Sequence, residues 1–494
     1  EIDGVYKLKN SAVTLVTDAS RREKGVHSIY EFVNLGWDDT YFLDITCRTD
    51  WSSTLHPTKW SYTYPSVSAS VLLDKAFKIN TPYVNMLKVR ASWANVGNDT
   101  SPYSLYDAYS KTSLPGGFTL PSTLKDAYIN PENVESWEVG FEGKFFSNRL
   151  NLDLALYKNT TTDQILGVSQ SSETGATKVM MNAGRVENKG IEISFRLRPV
   201  QTRDLLWEIN GNWARNKNKL CELNDGWDPS TPLQTSMGVT IGSRTFVYSY
   251  IGEEMHWIYG RDYVRAPKGS TYTDENGTVI DCSGMPIIDP KTGYPSLIED
   301  PNQRIAKVNP DWKAGFGTSV RYKNLSFSAQ FTAQVGGNSF SVTNFALSYQ
   351  GKLKNSLPGR EDGLVLKGVN AVDNGDGTIS YRKNNTITEN VYIYYNKYQW
   401  VRDNTKANTF STDFLKLKEV RLDYRFSERW MQKTKFLRSA SIGIFATNLF
   451  CITNWPQYDP EAAGVVSGTN IYGGIETGSF PMTRTYGFNI KLQF

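Results

Sequence analysis

Residues 483–494 read TRTYGFNIKLQF, a strict two-residue alternation. On an extended strand Tyr486, Phe488, Ile490, Leu492 and Phe494 fall on one side, and Gly487, Asn489, Lys491 and Gln493 fall on the other. An apolar row toward lipid and a polar row toward a lumen describe a transmembrane β-strand. One strand of a soluble sandwich reads the same way, so the rest of the chain must decide.

Composition narrows the choice. A chain of 494 residues needs several domains or one very large β architecture. Aromatic residues make up 13%, with 28 Tyr and 13 Trp, the amphipathic rings of membrane-interface girdles. Mean hydropathy is −0.44, and no apolar run reaches the length of about 18 that a spanning helix needs. A helical membrane protein is excluded, whereas a β-barrel is not, because only alternate residues of its strands meet lipid. The 54 basic and 50 acidic residues are dispersed, without the basic tract that nucleic-acid binding would require. Cys47, Cys221, Cys282 and Cys451 lie far apart, which signals neither a zinc site nor a disulfide framework. Cys47 reads as a small hydrophobe on an apolar strand face. The sequence starts at Glu1 without a charged and then apolar leader, so for an exported protein it is read as mature, truncated or cleaved.

Alternation recurs along the chain. Tyr41, Leu43, Ile45 and Cys47 oppose Asp44, Thr46, Arg48 and Asp50; further rows are Val67, Ala69 and Val71, and Leu87, Val89, Ala91 and Trp93. One hairpin runs from about Val134 to Phe146, turns at Ser147 and Asn148, and returns through Leu150, Leu152, Leu154 and Leu156. Another pairs Ala314–Val320 with Leu325–Phe331 around Lys323 and Asn324. Ile191, Ile193, Phe195 and Leu197 form an apolar row, as do Trp207, Ile209, Gly211 and Trp213. Leu415 and Leu417 keep one parity while Val420, Leu422, Tyr424 and Phe426 take the other, which predicts a β-bulge near Lys418 and Glu419. Residues 437–448 read as a strand whose facing is ambiguous, since both parities carry apolar side chains.

The expected strands number about fourteen, and their connections sort by length. Short links fall near 37–39, 74–85, 147–149, 199–204, 323–324 and 427–436; long ones fall near 51–61, 97–133, 164–183, 220–310, 337–412 and 449–482. Short and long alternate without a break. A soluble sandwich has no reason to sort its loops, whereas an outer-membrane barrel joins its strands by short periplasmic turns and long extracellular loops. Loops this long are expected to be folded and functional, and Asn276-Gly277 between strand formers predicts a two-residue hairpin within 220–310.

Several phrases then resemble one family. LKVRASWANVGN (87–98), INPENVESWEVGFEGKFFSNRLNLDLALYKNTTTDQIL (129–166), NAGRVENKGIEISF (182–195), NPDWKAGFGTSVRYKNLSFSAQF (309–331), FLKLKEVRLDYRF (414–426), ATNLFCITNWPQYDPE (446–461) and PMTRTYGFNIKLQF (481–494) occur in the order found in SusC/RagA-like TonB-dependent outer-membrane transporters. The resemblance covers essentially 1–494, and NAGRVENKG and TNLFCITNWPQYDPE are its most specific phrases. It implies an all-β fold: an antiparallel transmembrane β-barrel of 22 strands around an N-terminal plug, of which this chain supplies the C-terminal barrel portion of about fourteen. The plug, the TonB-contacting segment and the first strands have no counterpart in the sequence. An open sheet edge in lipid leaves backbone groups unpaired, so a second chain or fragment is expected to supply the plug and remaining strands. Self-closure as a fourteen-stranded porin-like barrel is the physical alternative.

The resemblance further implies active import of oligomeric nutrients, oligosaccharides first and peptides as the alternative, with a SusD-like lipoprotein lid and with the TonB complex acting through the plug. Tyr486, Phe488, Ile490, Leu492 and Phe494 would then be the C-terminal signal for barrel insertion. A structural or adhesive outer-membrane protein without transport is the reading from another class, and a plug discriminates, because an adhesin has no use for an energised gate.

No enzyme is expected, nor any cofactor. His27, His56 and His256 have no metal-ligand spacing, and neither a G-x-S-x-G elbow nor a phosphate loop occurs. VDNGDGTIS around Asp373 and Asp376 lacks the ligand spacing and final Glu of a calcium loop and reads as a solvated turn. Glu192, Arg196, Arg198 and Lys491 are candidates for the lumen wall or plug contact, against plain solvated wall. Trp257 and Tyr259 are candidates for stacking on substrate or lid, against packing inside their loop. The run Gln457–Glu461 reads as a structural turn.

Overall fold

Thirteen long strands form one antiparallel sheet in the computed structural model, against the expected count of about fourteen. The residues described are 3, 7, 21–112, 117–169, 173, 175–224, 227–234, 245–400, 404–433, 436–463, 473–478 and 480–494. The strands are β1 (Val26–Trp37), β2 (Tyr41–Ser52), β3 (Ser61–Leu72), β4 (Val84–Asn98), β5 (Glu132–Phe145), β6 (Leu150–Thr162), β7 (Arg185–Gln201), β8 (Leu205–Glu222), β9 (Trp312–Tyr322), β10 (Leu325–Val335), β11 (Phe414–Arg425), β12 (Ser439–Thr453) and β13 (Thr485–Gln493). Each pairs with its neighbours in the chain, and β1 and β13 stand at opposite ends of the order without pairing to one another among the described residues.

Register fixes which side chains share a face. Leu43, Ala69, Ala91, Val139, Leu156 and Ile191 are direct cross-strand partners from β2 to β7, an uninterrupted apolar row. The next row, Asp44, Ser68, Ser92, Glu138, Tyr157 and Gly190, is polar apart from its terminal glycine. Because the side-chain period is two, a slip of one residue would turn every charge of the wall into lipid, so the alternation itself pins the register. The apolar face stays open to its surroundings: Leu156 is 48% exposed, Ile444 58% and Phe488 73%. In water that would be an aggregation surface, and in hydrocarbon it is the wetted side of a barrel wall.

The turns follow the sequence closely. Phe146, Ser147 and Asn148 take left-handed conformations with φ of 55°, 57° and 61°, and Lys323 does so with φ of 51°. The bulge is present: Gln330 pairs with Glu419 and Phe331 with Leu417, leaving Lys418 as the extra residue that switches parity. In β12 the ambiguity resolves, since Ile442 and Ile444 lie beside Ile490 and Phe488 on the apolar face. Phe445 turns inward, and its ring occupies the space over Gly487, where an added Cβ would come within 2.4 Å.

From β4 onward, long connections at one end alternate with short ones at the other; before it the expected sorting fails, since the link 53–60 is shorter than the link 73–83. The long ones carry their own structure. Strands 271–273 and 279–281 form the hairpin expected at Asn276-Gly277, but its turn spans 274–278 rather than two residues, with Gly277 alone at positive φ of 78°. Asp274 accounts for the difference, because its carboxylate accepts the N–H groups of Asn276 and Thr278 and stabilises the wider turn. The VDNGDGTIS stretch is likewise the turn of a hairpin, 369–373 paired with 379–383.

Candidate functional site

Two regions gather polar and aromatic side chains: the inner face of the wall, and the loops at its long-connection end.

On the wall, Arg198 donates from Nε to Glu208 at 2.9 Å, and Arg196 lies 3.5 Å from the same carboxylate. Glu192 and Lys491 also stand on the inner face, Glu192 between Ala155 and Ala214 and Lys491 opposite Ser441, each without an ion-pair partner among the described residues. Of the four lumen candidates, only Arg196 and Arg198 are therefore brought together. Three further clusters escaped the residue-by-residue reading. Arg90 meets Asp153 and Glu138, Arg421 meets Asp423 and Asn489, and Arg48 bonds Asp50, which also accepts from Tyr64. The signal was available, because each arginine sits at a polar-parity position of an alternating segment. Such pairing lowers the cost of lining a confined channel with charge, and it leaves a wall that is polar without a strong net field.

The loops build one continuous cap. Short strands 233–234, 246–249, 257–260 and 303–307 form a four-stranded sheet. Its Val247 and Ile258 are fully buried against Phe340 and Ile475 from two other loops. Phe340 and Ile475 pair in parallel, and buried Glu476 accepts from Ser341 at 2.7 Å and from Thr343 at 2.6 Å. The hairpins at 271–281 and 369–383 join through Ala266, Cys282 and Val369, with Tyr272 and Tyr381 packed against them. Loops far apart in sequence thus share cores.

Because side chains alternate along a strand, burying Val247 and Ile258 turns Phe246, Tyr248, Trp257 and Tyr259 to the opposite face. The rings form a ladder: Phe246 stacks on Tyr248 at 5.2 Å and 5°, while Tyr248 and Tyr250 each lean on Tyr259 at 5.5 and 5.7 Å. The Arg304 guanidinium lies 3.7 Å from the Trp257 ring centre and pairs with Glu253 at 2.9 Å. The indole N–H of Trp257 is buried and has no acceptor among the described residues. Tyr259 is 7% exposed, so of the two aromatic candidates it serves mainly to pack the ladder, while Trp257 keeps the unfilled donor. A second recess of about 340 Å³ is lined by Tyr349, Arg360, Asn390, Tyr392, Tyr395 and Asn396. The side-chain oxygen of Asn396 is also buried without a partner among the described residues. Sequence reading missed this recess because its walls come from segments 40 residues apart that only the folded loop brings together.

The histidines are separated. His56 shares a hydrogen bond of 2.8 Å with Thr58 and packs on Tyr128, and His256 lies within the loop cap, where burial pulls its pKa down despite a hydrogen bond to Asn309. Asp459 and Glu461 in the Gln457–Glu461 run accept the ammonium of Lys416, and Asp459 also caps the turn at Pro460–Ala462. The run forms a capped turn, as its Pro and Asp foretold. At the other end of the wall, Tyr486, Phe488, Ile490 and Leu492 share the apolar face of β13, and Phe494 stacks on Phe436 at 6.3 Å.

A family model described as TonB dependent receptor-like, beta-barrel matches residues 3–350. TonB-dependent receptor P3 of Formosa agariphila is 25% identical over 99% of this chain and 47% of its own length. TonB-dependent receptor SusC of Bacteroides thetaiotaomicron is 22% identical over 97% of this chain and 45% of its own. The chain spans about half the length of the curated relatives it matches. Among solved structures, that of the RagAB peptide transporter superposes with a TM-score of 0.71 at 20% identity, over 95% of this chain and 47% of that one, a likeness of fold.

Proposed function

The chain belongs to the TonB-dependent receptor-like β-barrel family, whose members are receptors and transporters of the outer membrane, and from that premise we propose that it forms part of an energised importer of oligosaccharides. The observation that carries the reading is the cap of shared-core loops above a paired-charge wall: a structured, aromatic-bearing entrance set over a polar passage. Sugar rings offer apolar faces to Phe246 and Tyr248, with Tyr259 packed behind them in the ladder, and hydroxyl oxygens to the buried indole N–H of Trp257 once binding opens the site to it. A ladder of stacked rings binds repeating units better than a single small solute, which favours an oligomer. Long loops mark the extracellular end of the wall and short turns the periplasmic end.

The rest of the barrel and a plug come, in this reading, from another stretch of polypeptide, joined to this chain or separate. The edges of β1 and β13 support it, because in lipid each unpaired backbone group costs on the order of several kcal/mol. The inner side of β1 supports it too, since Tyr30 and Phe32 share a face with Arg48 and Thr46 yet are 70% and 66% exposed, and a plug would cover them. A SusD-like lipoprotein closes over the loop cap, and the TonB complex acts through the plug. Tyr486, Phe488, Ile490, Leu492 and Phe494 serve as the C-terminal insertion signal.

The test is mass spectrometry and structure determination of the complex purified from outer membranes. Plug-bearing polypeptide together with an oligosaccharide at the aromatic ladder is the expected result. No plug in the complex overturns the importer, and a bound peptide in place of a glycan overturns the cargo.

A further inference from the structure

One part of the outward face breaks the apolar pattern. Lys158 of β6, Lys189 of β7 and Lys217 of β8 are direct cross-strand partners, so three lysines stand side by side on the face that elsewhere meets lipid. One residue pair below them the row reads Leu156, Ile191 and Arg215; one pair above it reads Thr160, Glu187 and Lys219. All five cations sit at the long-loop end of their strands. In the same lateral row as the lysines, β4 and β5 carry Trp93 and Trp137, 6.3 Å apart, with both indole N–H groups on Glu135 at 3.0 Å. A tryptophan pair of this kind marks the boundary between hydrocarbon and headgroups. Along β8, Leu205 to Trp213 cover the apolar band and the cations begin at Arg215, consistent with the 9–11 or so residues that a tilted strand needs to cross.

Like charges placed directly opposite on neighbouring strands are destabilising unless something neutralises them. Glu187 neutralises two, bonding Lys158 at 2.8 Å and Lys189 at 2.7 Å. Arg215, Lys217 and Lys219 are exposed and have no carboxylate within ion-pair distance among the described residues. Together with Lys189 they line a groove of about 680 Å³ that also takes in Leu156 and Ile191; of its two carboxylates, Glu187 is held by Lys158 and Lys189, and Glu254 lies 3.7 Å from Lys307. On β10 the outward face stays apolar at the long-loop end, at Phe331, Ala333 and Val335, and the outward charges near that end on β1 and β5, Glu31 and Glu135, are acidic. The patch is local.

We propose that this groove is a binding site for the phosphorylated headgroup of a lipid in the outer leaflet, the phosphate held by Arg215, Lys217 and Lys219 and the first acyl segments lying on Leu156 and Ile191. Charge and apolar lining together select the occupant. A soluble anion gains nothing from Leu156, and a protein partner would have to enter the headgroup layer to reach it. Cations near an anionic leaflet each contribute enough to change affinity about fivefold, so the three together are worth on the order of 100-fold.

The experiment takes the full complex in detergent micelles and titrates it, by native mass spectrometry, with lipid A carrying its phosphates, with lipid A from which they have been removed, and with inorganic phosphate. Retention of the phosphorylated lipid alone is expected, with affinity lowered on the order of 100-fold in the triple variant Arg215→Gln, Lys217→Gln, Lys219→Gln. Equal retention of both lipids, unchanged affinity in the variant, or binding of free phosphate as tight as that of the lipid overturns the site. Should the triple variant fail to assemble, the three ligands compared on the unaltered complex decide alone.

Discussion

Arg90 grips Asp153 across an intervening strand: two guanidinium N–H groups of β4 reach the carboxylate on β6, at 2.9 and 3.2 Å, over Gly140 of β5. Gly140 permits the crossing, because a Cβ there would lie 2.4 Å from the guanidinium carbon. Gly140→Ala should therefore destabilise the wall by about 1–3 kcal/mol, the usual cost of overpacking. In an Arg90→Met background the same change should cost much less, since the group it displaces is gone. Denaturant unfolding of the four variants in micelles measures the coupling, and additive costs would refute the crossing as the reason for the glycine.

Lys416 presents the opposite situation, a cation with its side chain 3% exposed beside the 4% exposed Asp459. Removing one partner strands the other, so Lys416→Met should cost about 3–5 kcal/mol, whereas Lys418→Met, on the half-exposed bulge, should cost under about 1 kcal/mol. The loss should localise to the loop after β12, which the ammonium ties to the wall. Limited proteolysis within 454–463 reads it out directly. Burial acts to raise the pKa of Glu461, but hydrogen bonds from Lys416 and Lys418 outweigh it and hold the carboxyl below its ordinary value. The clamp is thus present above about pH 4.5 and fades as acid protonates Glu461.

How much of this was legible beforehand depends on the range of the interactions. The wall was readable because period-two alternation is local, and even the bulge at Lys418 announced itself as a parity switch between Leu417 and Val420. The loop cap was not, since pairing Phe340 with Ile475, or burying Val247 against them, needs partners far apart in the chain and strands of only two to five residues. Trp257 and Tyr259 were recognised as aromatic material, but their different exposure follows from the sheet that forms around them. The groove beside Arg215 was hidden for another reason: each cation looks ordinary at the end of its own strand, and only lateral register lines up Lys158, Lys189 and Lys217.

His256 gives the loop cap a pH dependence. Burial disfavours the charged ring and depresses its pKa, with the hydrogen bond to Asn309 opposing in part. A group whose pKa is lower folded than unfolded contributes stability that is complete above about pH 6.5, the unfolded value, and is lost as pH falls through the folded one. Hydrogen exchange in 245–260 should therefore accelerate as pH falls below about 6.5, while the wall strands stay protected. His256→Gln should remove the dependence in that window, and an unchanged profile in the variant would assign the effect to another group.

Trp257 offers a test in which stability and binding move apart. Its indole N–H is buried without an acceptor among the described residues, an arrangement that costs about 1–3 kcal/mol if nothing fills it. Trp257→Phe keeps an aromatic face under Arg304 and deletes the donor. With ligand removed, the variant should be no less stable to heat than the parent, the relief of the orphaned N–H offsetting the smaller ring. If an oligosaccharide hydroxyl is the missing acceptor, affinity for the glycan that copurifies with the complex should fall about tenfold, equivalent to about 1.4 kcal/mol. Thermal unfolding and calorimetric titration of parent and variant measure the two quantities. A variant that loses stability and keeps its affinity would place the indole in the packing of the cap and leave Phe246 and Tyr248 to bind without it.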